Sequence, residues 1–142
     1  MKGQNLMFDT ASQLAVKRLL PAATIAATAN GDAVDISELE RNLLLVLDSA
    51  AGSGTNPTLT ITLQERASAS DTWGAVPADA LYDPATGEAA TFDVVEDAAS
   101  VQTLALRRDR LKAQIRAVAT LGGTDTPSFV ATLYAVGLSK YV

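Results

Sequence analysis

The chain of 142 residues contains no Cys and no His. Thiol nucleophiles, disulfides, zinc sites built on those ligands and the imidazole general base are therefore outside its chemistry. A serine nucleophile would need lysine as its base, and no Ser-x-x-Lys spacing occurs among the four lysines. The sixteen acids include no motif that selects two of them, as a paired-carboxylate hydrolase would require. Asn30-Gly31-Asp32 with Asp35 is the densest set of oxygen ligands, but it lacks the EF-hand pattern, and a hairpin turn already accounts for Asn30 and Gly31. Gly52-Ser53-Gly54-Thr55 and Gly122-Gly123-Thr124 have neither a P-loop lysine nor dinucleotide-fold spacing, so both read as turns. These observations predict a protein that is not an enzyme and needs no metal or cofactor.

What remains is binding without chemistry. Trp73 is the only Trp, and in a loop beside Asp71 and Thr72 it could anchor a partner, stack on a sugar, or cap the end of the fold. Charge is uneven: residues 1–100 carry a balance of −9 and residues 101–142 one of +4. Arg107, Arg108 and Arg110 concentrate much of that positive charge in one short segment, which reads either as a solvated turn or as one side of an oriented protein interface. An acidic body lacks the basic footprint of a nucleic-acid binder. No apolar run approaches the roughly 20 residues that span a bilayer, so no membrane partner is expected. The apolar stretch Leu19–Ala29 is interrupted by Pro21 and follows an acidic Asp9, so it reads as β-structure rather than a signal segment.

The length suits one domain. Ala supplies 26 positions and the aromatic residues only seven, so the core is thin in large side chains and association would help stabilise it. Residues 1–21 read as an N-terminal arm or, over Ser12–Leu20, a short helix; Leu6 and Phe8 are its candidate contacts. Residues 22–142 read as a single β-sandwich. Thr24–Ala29, Asn30-Gly31 and Ala33–Ile36 predict a type I′ hairpin. Leu43–Leu47 reads as a strand covered on both faces, after a polar turn over Ser37–Arg41. Ala51–Pro57 reads as a loop. Leu59, Ile61 and Leu63 alternate with Thr58, Thr60, Thr62 and Gln64 as a half-buried strand requires. Asp83–Gly87 is a turn, and Thr91–Val95 and Val101–Leu106 are short strands. Ile115–Leu121 and Ser128–Val136 alternate as two strands joined by a hairpin connection over Gly122–Pro127. About eight antiparallel strands predict an all-β sandwich.

Three stretches, in this order, resemble a known family. They are Ala33–Ser37 with the Leu43–Leu47 strand and its Gly/Ser/Thr loop; Leu59–Arg66 leading through Ser68–Asp71 to Thr72-Trp73; and Ile115–Thr124 with Pro127-Ser128-Phe129 and the closing strand. Together they are similar to the capsid decoration (cement) proteins of tailed phages. The resemblance covers residues 22–138 and implies a jelly-roll-like antiparallel sandwich on the outer surface of an HK97-type capsid. The implied role is structural: cementing neighbouring major capsid subunits in the virion, with that capsid protein and further copies of itself as partners, a dimer first and a trimer second. The alternative is a carbohydrate- or receptor-binding sandwich of a phage fibre or spike, motivated by Trp73. The Ser68–Trp73 element is also similar to the Asp-box hairpin of sialidases, but the intervening Gly is missing and no sugar binding is carried over.

Overall fold

The structure is a computed structural model and describes residues 13–139. Leu6 and Phe8 lie outside the described residues. Nine strands are present among the described residues: β1 (Leu14–Ile25), β2 (Ala29–Asn30), β3 (Val34–Asp35), β4 (Leu39–Ser49), β5 (Ser53–Arg66), β6 (Gly74–Ala75), β7 (Leu81–Tyr82), β8 (Ser100–Leu106) and β9 (Gln114–Ser139), with one 3-10 turn at Arg108–Arg110. All pairings are antiparallel. The fold is all-β and sandwich-like.

β9 organises it. Its first half lies between β5 on one side and the short β2 and β3 on the other, forming the back sheet with β6 at the far edge. Its second half lies between β1 and β4, forming the front sheet in the order β1-β9-β4-β8-β7. Gly122–Pro127 is therefore not a hairpin connection: Ile115–Leu121 and Ser128–Val136 belong to one strand that crosses from sheet to sheet. The turn chemistry of the segment is real but differently used. Gly123, Asp125 and Thr126 on β9 and Gly54 and Asn56 on β5 all have positive φ. Facing bulges of this kind kink both strands together, so the ladder turns a corner instead of ending. Thr55 Oγ1 donates to Asp125 Oδ2 across the corner. A Cβ on Gly123 would meet the Asn56 carbonyl oxygen at 2.9 Å, and one on Gly54 the Thr124 carbonyl oxygen at 2.8 Å. Ser53–Pro57, read from sequence as loop, is thus the start of β5.

The Asn30-Gly31 hairpin is also corrected. Neither residue has positive φ, and β2 and β3 both pair with β9 rather than with each other. Gly31 serves a close approach instead. Its N–H donates to the Ala117 carbonyl, and any Cβ would collide with the Leu19 carbonyl oxygen of β1. The boundary drawn after Pro21 does not hold over its last residues, because Leu14–Ile25 is one strand along β9 and neither arm nor helix. A Pro within a strand is tolerated where the strand is an edge and the ladder is irregular. β1 meets both conditions, with a register shift between Leu20 and Ala23.

The alternations read from sequence point as expected. Leu59, Ile61 and Leu63 on β5, Ile115, Ala117 and Ala119 on β9, and Phe129, Ala131, Leu133 and Ala135 farther along β9 are all buried between the sheets. Leu43, Leu45 and Leu47 join them, but Leu44 is exposed and Val46 half-buried, so β4 is covered on one face only. Thr91–Val94 does not pair as a strand. Gln102 takes the ladder's place there, its side chain accepting from the Asp93 N–H at 2.7 Å and donating to the Asp93 carbonyl at 3.0 Å. Val95 makes a single bridge to Leu59. The Asp83–Gly87 turn forms as read, with Gly87 at φ 78° and the Thr86 and Gly87 N–H groups on the Asp83 carbonyl.

Candidate functional site

The two outer faces differ in a way the shared architecture does not require. On the back sheet, Thr58, Thr60, Thr62, Gln64 and Arg66 of β5 lie beside Gln114, Arg116 and Thr120 of β9, with Val118 the one apolar residue in that pairing. This is the polar outer face that water-facing antiparallel sheets usually carry.

The front sheet presents the opposite. Direct cross-strand partners give a row Val16–Val136–Leu44–Ala105–Tyr82 over the five strands, in which Val16 and Leu44 are exposed, Val136 and Tyr82 half-buried and Ala105 buried. The next row is Arg18–Tyr134–Val46–Thr103, and beyond it Asp48 sits between Thr132 and Val101. Leu14 and Val130 extend the face at its two ends. Val16 is 64% exposed, Val101 70% and Val130 53%. β-Branched and aromatic residues suit a pleated, half-buried surface, and among the described residues this one is covered on its inner side only. Four strands about 4.8 Å apart, over about seven residues each, give a sheet area of roughly 450 Å² before side-chain relief, polar positions included; β7 adds only Leu81–Tyr82 at the edge.

Arg107, Arg108 and Arg110 come together as the sequence suggests, around an open groove of about 720 Å³ with Leu39–Asn42 and Asp79. Their guanidinium groups are, however, engaged within the chain. Arg107 lies over the Tyr82 ring at 4.1 Å and donates to the carbonyls of Asp79 and Gly87. Arg108 donates to the Ile36 carbonyl at 3.0 Å and to that of Leu111. Arg110 pairs with Asp79 at the surface. The basic segment thus fastens the β7–β8 end of the front sheet to the chain before β4.

Trp73 does not cap the end of the sandwich. The chain leaves β5 at Arg66 and tightens through the Asp71 N–H on the Ser68 carbonyl and the Ser68 hydroxyl on Asp71. It then returns as β6, whose Ala75 and Gly74 pair with Gln64 and Glu65. Trp73, at the point of return, is laid half-buried against Arg66 and Arg116, whose guanidinium carbons are 4.3 and 4.6 Å from the ring centroid. Sequence reasoning finds the Trp but misses both arginines, which lie fifty positions apart and meet only through the β5–β9 register.

Asp35, from the candidate cation cluster, accepts the Ser37 N–H at 2.8 Å. Hydrogen bonds from Ser37 hold its carboxyl below the usual carboxylate range. Among the described residues no group of three or more acids is placed to hold a metal ion, and no helix is long and apolar enough to cross a membrane. Compared with known proteins, the chain matches no family model, and no curated protein is significantly similar to it.

Proposed function

We propose that this chain is a non-catalytic structural protein of a virion, which binds the outer surface of an HK97-type capsid and cements neighbouring major capsid subunits. The observation that carries the docking part of this reading is the apolar outer face of the front sheet. The back sheet of the same molecule supplies the comparison, since its outer face is mostly Thr, Gln and Arg. A standard interface removes about 800 Å² from each partner, so a sheet area of this size supplies about half of one. The capsid as partner rests on the ordered resemblance of residues 22–138 to decoration proteins. Attachment of linked copies to a repeating lattice would multiply modest contacts into firm binding. Self-association, two-fold first and three-fold second, belongs to the same reading.

Co-sedimentation of the purified chain with capsid shells tests it. Wild type is expected to pellet with the shells. Val16→Glu combined with Leu44→Glu is expected to remain in the supernatant, with its stability within about 0.5 kcal/mol of wild type, as for exposed positions generally. Equal pelleting of wild type and variant would reject the apolar face as the attachment surface. Absence of wild-type pelleting would reject the capsid as partner.

A further inference from the structure

We infer that Arg66, Arg116 and Trp73 form a receptor for the carboxylates of an acidic protein segment on the outer face of the back sheet. The inference stands apart from the docking of the front sheet, since it concerns the opposite face of the sandwich.

The register places the two arginines diagonally on adjacent strands, Gln64 opposite Arg116 and Arg66 opposite Gln114. Each arginine donates its Nε–H to the glutamine opposite: Arg66 to Gln114 Oε1 at 2.7 Å and Arg116 to Gln64 Oε1 at 2.8 Å. Arg66 donates further to the Ala69 carbonyl at 3.3 Å. These bonds fix both planar forks before any ligand arrives, which lowers the ordering cost of binding. The Trp73 ring, in contact with both, keeps the two like charges within one side chain's reach of each other.

Among the described residues neither arginine makes an ion pair, and Asp71 of the same loop is engaged by the Ser68 hydroxyl. The ion pairs there are Lys17–Glu38 and Arg110–Asp79, and neither involves Arg66 or Arg116. Glu65 is next in sequence but faces the interior, where its Oε1 accepts the Lys112 N–H. Two half-buried cations held together without an ion pair are set up for an anion supplied from outside. Guanidinium forks match carboxylates by paired, parallel N–H···O bonds. Trp and Arg are also the side chains that most often dominate protein–protein binding energy. A polyanion such as nucleic acid is disfavoured, because residues 1–100 carry a balance of −9. A short acidic stretch of a protein satisfies the local site without meeting the acidic body.

Trp73 is the only Trp in the chain, so its fluorescence reports this site alone. Hexaglutamate titrated into the full chain is expected to change Trp73 emission saturably. The apparent affinity should fall several-fold between about 50 and 300 mM salt, as screening requires. Arg66→Gln with Arg116→Gln is expected to weaken binding at least tenfold with an unchanged circular-dichroism spectrum. Should that variant fail to fold, Arg66→Lys with Arg116→Lys keeps the charge but removes the fork, and a several-fold loss is expected there. No saturable change up to about 10 mM peptide, weaker than any useful contact, would overturn the inference. So would unchanged affinity in the variants, or an equal response to inorganic phosphate at the same concentration.

Discussion

At the scale of the residue, the fold depends on a few positions where backbone must approach backbone. Gly31 is the sharpest case, its Cα lying under the Leu19 carbonyl while its N–H bonds to Ala117. Gly31→Ala is expected to destabilise the protein by about 2–3 kcal/mol, as overpacking does. Gly74 is the matched control, since a methyl group placed there would have nothing within 4 Å. Gly74→Ala should change stability by less than about 0.5 kcal/mol. Chemical denaturation of the two variants checks both, and equal effects would contradict the role given to Gly31. A sequence shows that a glycine is present but not what it is for, and Asn30-Gly31 carries the strongest hairpin signature in the chain. The signature fails because β2 and β3 each find a better partner in β9. The arginines behave similarly: their grouping at 107–110 is visible in the sequence, whereas their capture by the carbonyls of Ile36, Asp79 and Gly87 is not.

At the scale of the element, β9 is the strand on which the others are assembled, pairing with β1, β2, β3, β4 and β5. Strands in the middle of a ladder open only with the whole fold, while short edge pieces open locally. Amide exchange is therefore expected to be slowest at Ala117, Ala119, Leu133 and Ala135 of β9 and fast in β2 and β3. Exchange at those β9 amides as fast as in β2 would contradict the placement of β9 at the centre. Much of this element is legible in advance, because Ile115–Leu121 and Phe129–Val136 alternate and their buried positions follow that alternation, except that Leu121 is half-buried and Thr132 is buried with its hydroxyl on the Leu20 carbonyl. The partner is not legible. Alternation assigns faces, not neighbours, and the nearest strand in sequence is the natural choice; the long partner of Ile115–Leu121 is β5, fifty or more positions earlier, with β2 and β3 on its other side. The corner explains the difference. Glycine, Asn and Asp with positive φ usually reverse a chain, but when two strands carry them opposite each other they kink in concert and stay paired.

At the scale of the whole molecule, the distinguishing property is asymmetry between two outer faces built on one strand. The back sheet is dressed in Thr and Gln with an Arg–Trp cluster at one end. The front sheet carries Val16, Leu44, Val101 and Val130 toward solvent. Sequence reading hides this difference, because the apolar run Leu43–Leu47 of β4 reads as a strand covered on both sides, and only the layer order shows that no second cover is present among the described residues. Under the proposed function the cover is the capsid. Cryo-electron microscopy of capsid shells saturated with the purified chain tests that claim most directly. The expected map has ordered density on the outer shell surface, with the β1-β9-β4-β8-β7 face against the capsid subunits and the back sheet toward solvent. Undecorated shells, or attached molecules whose front sheet faces away from the capsid, would contradict it.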